Sequence, residues 1–460
     1  MTTIPARRYD MDWLRIIAFG LLILYHVGMF YVTWDWHVKS SRASHAIEPL
    51  MGFVNPWRLT LLFLISGAAT RFMADKMSAW NLTTARMGRL FPPLLLAIFV
   101  IVPPQSYFQI VEAAQRLHIP QGAWLDDFWI KYATGAGHWC NQGDCLTTPT
   151  YNHMWFVAYL IVYTLILIIL LPLLRRIPGS VAKFMAGPFF ILTPWLYMTT
   201  IRVTLFPLFD ETHALVNDWY LHALYLPVFV FGFAIAKYAP FFERATRLRW
   251  LALGLTVAAW IAVQSYYQLA SDTPPDWLRN IFRGVHELQA WTAIVAAVGF
   301  AHRYLRNADG PVRRTLTQAI FPFYLVHQTV IVVTGRLLDP LQWPLWIEAP
   351  VLITTTALGC WITYEVGRAV PPLRIWLGLP SKIDDFRGKN MELAPKGTGS
   401  VRAFVSRAPE ELENMFLAFL VAVAIIIGLT LLGAFITRRA PGTSWESHED
   451  RPIGGPWHDH

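Results

Sequence analysis

The chain predicts an all-α fold, a polytopic bundle of membrane-spanning helices, and three observations carry the prediction. Hydrophobic residues make up 55% of its 460 positions and charged residues only 15%. The apolar residues fall in runs of roughly 17 to 25, the length that crosses a bilayer core, and not in the one-sided stripes of a soluble helix. Arg and Lys gather in every second loop between those runs, which is how a membrane protein encodes its orientation. The net charge of +8 is therefore read as topology, and nucleic acid is not expected as a partner.

In chain order, spans are expected at about residues 13–33, 50–73, 89–110, 154–174, 184–206, 219–237, 250–270, 283–304, 316–336, 348–369 and 412–436. The first ten form one domain, residues 1–379. A cytoplasmic linker (380–411), an additional transmembrane helix (412–437) and a polar external tail (438–460) follow. The first run is too long for a cleavable signal and is expected to remain. Pro92 with Pro93, and Pro103 with Pro104, are expected to bend or interrupt the third span, with neighbouring helices satisfying the freed carbonyls. Residues 111–152 form a long external loop with Trp124, Asp126, Asp127, His138 and Trp139. In it Cys140 and Cys145 are near enough to close a disulfide in an oxidising compartment, whereas Cys360 lies in an apolar run. Nothing beside them completes a metal ligand set.

Orientation follows from the basic loops. Arg7 and Arg8, Arg71, Arg86 and Arg89, Arg303 to Arg314, and Arg368 with Arg374 all fall on one side if every span is real, and that side is cytoplasmic. The loop with Asp210, Glu211 and Asp218 is then external, periplasmic in a cell with two membranes, as is the C-terminus. No internal repeat is visible, which disfavours a transporter built from inverted halves.

An ionisable side chain inside a span costs about 2.5–3.5 kcal/mol even on a lenient insertion scale, so each one is a functional candidate. The first span carries Asp12, Arg15 and His26. Asp12 and Arg15 share a helix face and can pair. Arg15 and His26 are separated by ten residues, which puts them ~16 Å apart along the axis. The bland alternative is an interfacial ion pair and a packed core histidine. Arg58 precedes LTLLFLISG, which ends in Ser66 and Gly67; Arg86 and Arg89 open the third span, His153 the fourth, and His327 lies in FPFYLVHQ. Arg86 and Arg89 also serve as topology markers, and Glu365, near a cytoplasmic helix end, as an interfacial charge. Trp36 and His37 suit a sugar, since aromatic faces pack on pyranose rings, although Trp36 also fits an interfacial belt. Taken together, a histidine that can accept a hydroxyl proton, a site shielded from water and cytoplasmic cations that can hold phosphates describe group transfer across a membrane.

The order of these motifs is specific. Arg15 and His26 with Asp12 ahead of them, LLFLISG at 61–67, RMGRLFP at 86–92, HMWF at 153–156 and FYLVH at 323–327 resemble the integral-membrane acyltransferase 3 family over residues 7 to about 379. TWDWHVKS at 33–40 and YEVGRAVPPLR at 364–374 resemble its OpgC branch, which succinylates osmoregulated periplasmic glucans. The resemblance implies a multi-pass bacterial inner-membrane O-acyltransferase. It would use cytoplasmic acyl-CoA, succinyl-CoA in that branch, as co-substrate with no permanently bound cofactor, and a periplasmic glucan or related polysaccharide as acceptor. His26, Asp12 and Arg15 would be catalytic. Arg58, Ser66, Arg86 and Arg89 would stand on the donor side, and Trp36, His37, His153, His327 and Glu365 on the acceptor or oxyanion side. Membrane lipids are its surroundings, and self-association stays open. The rival class is a sugar or lipid exporter whose intramembrane His and Arg residues line a pathway.

Overall fold

The computed structural model describes residues 8–116, 125–137, 139–141, 144–174, 187–209, 211–269 and 274–380. The expected linker, eleventh span and tail lie outside these residues, as do Trp124, His138 and the side chains of Cys140 and Cys145. The helices are α1 (Tyr9–Tyr31), α2 (Glu48–Ala74), α3 (Ala79–Leu96), α4 (Pro103–Arg116), α5 (Phe128–Thr134), α6 (Trp155–Leu174) and α7 (Leu192–Thr204). They continue with α8 (Trp219–Ile235), α9 (Ala239–Leu269), α10 (Asp276–Tyr304), α11 (Pro311–Leu338), α12 (Leu345–Ala369) and α13 (Leu373–Trp376). Between α5 and α6 a two-residue antiparallel hairpin sets the backbone of Cys140 opposite that of Cys145.

Helices occupy all ten positions expected for the core. Seven helical stretches among the described residues are long and apolar enough to cross a membrane. At the other three positions stand α8, which is apolar but shorter, the 13-residue α7, and α10, whose first half carries Arg279, Arg283, His286 and Glu287. The third span is longer than expected. It begins at Ala79, where Ser78 Oγ caps the amide of Asn81 at 3.2 Å, and runs through α3 and α4 to Arg116. A straight helix of those 38 residues would measure about 57 Å, nearly twice a hydrocarbon core of about 30 Å. The proline pairs break it as expected. A π turn, Ala97–Ile101, follows Pro92 and Pro93, and α4 restarts at Pro103. The Ile101 carbonyl released there accepts the Thr329 hydroxyl of α11 at 2.6 Å.

The alternation of basic loops is matched by the way helix ends gather. On the Arg-rich face Asp10 of α1 meets His302 of α10 at 2.8 Å, Trp13 donates to the Ala308 carbonyl at 2.8 Å, and Asp12 meets Arg313 of α11 at 2.5 Å. Lys237, after α8, meets Asp75, after α2, at 2.6 Å. On the opposite face the segment from Val32 to Ser44 folds back over the end of α1, where Lys39 Nζ caps the carbonyls of Met29 and Val32 at 2.7 and 3.0 Å. The same segment is fastened by Ser41 to Asp339 at 2.8 Å and by Arg42 to Glu348 of α12.

Helix α1 runs through the middle, in contact with α2, α10, α11 and α12. Helices α2 and α8 approach closely through glycines. A Cβ on Gly67 would overlap the Phe229 carbonyl, and one on Gly232 would overlap the Leu64 carbonyl, so the two backbones touch without intervening side chains. This assigns the glycine of the LLFLISG motif to packing. Gly67→Leu is expected to lower stability by about 1–3 kcal/mol, since the clash is with backbone and no rotamer relieves it. Gly254→Ala, whose Cβ meets nothing within 4 Å, should stay within about 0.5 kcal/mol. Thermal unfolding of the two variants in detergent checks the difference.

Candidate active site

His26 lies on the last turns of α1, and its Nδ1 is 2.7 Å from Nε2 of His327 on α11. The two rings lie end to end with centroids 5.0 Å apart and planes 11° from parallel, as an in-plane N···N hydrogen bond requires. His327 Nδ1 is itself 2.7 Å from the Tyr324 carbonyl oxygen, one turn back on its own helix. A carbonyl only accepts, so His327 carries its proton on Nδ1 and its Nε2 is an acceptor. His26 must then donate from Nδ1, so in the neutral ring its Nε2 carries no proton. No described residue hydrogen-bonds that nitrogen.

His26 borders a cavity of about 1820 Å3, lined by α1, α2, α8 and the segment after α1. The Trp36 ring stacks over His26 at 6.3 Å, and His37, beside it, donates from Nδ1 to Gln109 Oε1 at 2.9 Å. Burial holds the His37 imidazole below its usual range, so it is neutral at pH 7. His153 also faces the cavity, but both of its ring nitrogens are taken: Nε2 donates to the Leu325 carbonyl at 3.1 Å and Nδ1 accepts from Gln105 at 3.4 Å. Gln105 in turn binds Thr329 at 2.7 Å, and the Tyr324 hydroxyl binds the His153 carbonyl. His153 is thus a fixed wall, and His327 stands behind His26. The N–H of each is already given to a backbone carbonyl, which corrects the expectation that they stand ready to hold an oxyanion.

The remaining expected residues separate into two places. Arg15, Arg86 and Arg89 gather toward the Arg-rich face, close enough for the charges of Arg15 and Arg89 to act on Arg86. Arg15 donates to the Thr317 carbonyl at 3.3 Å, Arg86 reaches Thr164 at 3.5 Å, and Arg89 is exposed. Asp12 binds Arg313, a partner 301 residues away that its own helix could not announce. Ser66 is half-buried on α2 beside the Gly67 contact and does not line the cavity. Arg58 is not with the donor-side arginines: α2 enters from the opposite face at Glu48, so ten residues later Arg58 lies in the His26 cavity. Glu365 corrects another expectation. It faces outward near the end of α12, paired with Arg368 at 2.6 Å in an exposed i,i+3 bridge, and does not reach the site.

Several cavity residues were missed by the sequence reading. Arg202 of α7, buried, donates to the Tyr220 hydroxyl at 2.9 Å and approaches Glu287 of α10 at 3.4 Å. Both fall within expected spans, so the rule that singled out His26 would have found them. Glu211, before α8, also lines the cavity, and burial pushes its carboxyl up to about 7. Its neighbour His213 is pushed down to about 4 by burial and by the Arg58 charge. Asn55, which accepts from Tyr25 at 3.1 Å, carried no signal at all.

The fold and site define a class: a polytopic helical membrane protein in which the bare Nε2 of His26 borders a large cavity of mixed polar and aromatic lining. The chain belongs to the acyltransferase 3 family, whose profile, described as an acyltransferase domain, matches residues 8–365. It is similar to the glucans biosynthesis protein C of Escherichia coli O139:H28 and of Escherichia coli K12, 24% identical to each over 406 residues. The alignment covers 85% of this chain and 97% of each relative. No solved structure matches.

Two outcomes follow from the geometry. His327→Phe removes the acceptor that fixes the His26 tautomer and is expected to lower kcat about 100-fold or more with the substrate KM little changed, measured by steady-state kinetics. For Glu211, the folded carboxyl titrates at about 7 against an ordinary 4.5, so between those values the folded chain holds a proton that the unfolded chain has released. Stability therefore falls as pH rises from 4.5 to 7. Glu211→Gln should remove up to about 3 kcal/mol of that slope, read as unfolding midpoint against pH for the two proteins.

Proposed function

We propose that the protein is a membrane O-acyltransferase that moves an acyl group, succinyl by preference, from cytoplasmic acyl-CoA to hydroxyls of a periplasmic glucan or related polysaccharide. In this reading the Arg-rich face is cytoplasmic, the protein lies in a bacterial inner membrane, and Arg86, Arg89 and Arg15 hold the phosphates of the coenzyme. The pantetheine arm brings the thioester along α1 to His26, and the glucan enters the cavity from the opposite face, with Trp36 and His37 against its sugar rings.

The observation that carries the reading is the free Nε2 of His26, aimed away from its partner His327 in a cavity on the far side of the protein from the arginine cluster. A glucan hydroxyl gives its proton to this nitrogen as its oxygen attacks the thioester carbonyl. The C–O bond forms, the C–S bond breaks, and the proton passes from His26 to the departing coenzyme sulfur. While His26 is protonated its Nδ1–H bond to His327 becomes charge-assisted, so the pair holds the imidazolium as it forms. The glucan acceptor is supported by the similarity to proteins named for glucan biosynthesis.

Purified protein incubated with a panel of acyl-CoAs and a glucan is expected to release free thiol and to yield acylated glycan by mass analysis. His26→Ala should abolish both, and transfer at the wild-type rate would defeat the mechanism. Arg89→Gln should raise the donor KM about tenfold with kcat little changed; an unchanged KM would reduce Arg89 to a topology marker.

A further inference from the structure

Three arginines are buried most deeply among the described residues: Arg58, Arg202 and Arg313. Two have a carboxylate. Arg313 holds Asp12 and Asp309 at 2.5 and 2.7 Å, and Arg202 approaches Glu287 at 3.4 Å. Arg58 is 6% exposed, and no carboxylate among the described residues lies at ion-pair distance from it. Its Nη1 donates to the Asn55 carbonyl at 3.1 Å and to Asn55 Oδ1, which are neutral acceptors. Its Nε has no hydrogen-bond partner. The guanidinium lies 3.4 Å over the Tyr25 ring, which fixes its plane, and Tyr25 is the neighbour of His26 in sequence with ring centroids 6.2 Å apart. Both Arg58 and His26 line the cavity.

A buried guanidinium is retained at a cost unless an anion completes it. The other charges facing it do not: Glu211 is pushed up to about 7 and is half-neutral at pH 7, and His213 is neutral. A thioester delivered to His26 from the Arg-rich face places its acyl group at the tip of the donor, so the acyl chain projects past His26 into the cavity where Arg58 waits.

We propose that Arg58 receives a carboxylate at the far end of the acyl chain, so that this cavity selects dicarboxylic over neutral acyl groups. The proposal rests on the acyltransferase reading and deepens it. Arg58 acts as a specificity residue. It makes a forked, charge-assisted contact with the distal carboxylate and leaves the thioester carbonyl at His26.

The test compares succinyl-CoA with butyryl-CoA, which has the same chain length without the charge, by kcat/KM for wild type, Arg58→Gln and Arg58→Lys. Wild type is expected to prefer succinyl-CoA, Arg58→Gln to lose about 30-fold or more of that preference, and Arg58→Lys, which keeps the charge without the fork, to retain part of it. A fall of both donors by the same factor would overturn the proposal and assign Arg58 to the oxyanion or to packing. So would a wild type indifferent to the charge. If no donor is used, the acyltransferase reading fails separately. The carboxylate site is then decided by free ligand: a rise in unfolding temperature with succinate, absent with butyrate and lost in Arg58→Gln, supports it, and no such rise overturns it.

Discussion

The hydrogen-bonded line from the Tyr324 carbonyl through His327 to His26 is the constraint on which the site depends. It starts from a main-chain oxygen that no substitution can remove, and that oxygen dictates every proton position downstream. It also demands that α1 and α11 pack at one spacing along their length. The helices meet this demand with Asp12 on Arg313 and Arg15 on the Thr317 carbonyl at one end, and with the Ser41 to Asp339 contact at the other. The buried Arg313 guanidinium is shared between Asp12 of α1 and Asp309 just before α11, so one cation ties the two helices together at this end. The ion pairs of the Arg-rich face thus hold α1 against its neighbours without reaching the cavity.

The two faces do different work. Toward the Arg-rich face, polar groups are charged and concentrated in short bridges between helix ends. In the cavity they are mostly neutral donors and acceptors, among them Gln109, Asn55, Tyr220 and the histidines, interleaved with aromatic rings. Such a lining can exchange hydrogen bonds with hydroxyls at small desolvation cost. The Gln105 network behind it, tied to His153, Thr329 and the broken third span, keeps that lining rigid.

Much of this was legible in the sequence. Run length marked ten core positions at each of which a helix stands, and the ionisable residues of the spans singled out His26, His153 and His327, which lie close together. The proline pairs located the break in the third span. What the sequence withheld has a common cause. The role of His327 depends on a backbone carbonyl, and Asp12 finds its partner across 301 residues, so neither leaves a local pattern. The resemblance put Arg58 on the donor side, but depth in a helix is set by where the helix enters, and Glu48 marks that point only once its bonds to Thr33 are seen. Glu365 followed a motif whose inward-facing member is its neighbour Tyr364, buried where Glu365 is not.

The glycine contact between α2 and α8 bears on how the cavity can change shape. Two helices whose main chains touch cannot come closer there, so rotation about the contact is the movement left that keeps it. Gly67 and Gly232 form that pivot, below a cavity whose walls include Asn55 and Arg58 on one helix and Tyr220 and Tyr225 on the other. A small turn about it moves the ends of the helices at Glu48 and Tyr220 farther than the glycines themselves. Rotation about the glycines is thus the motion that changes the far end of this cavity at the least cost to helix packing.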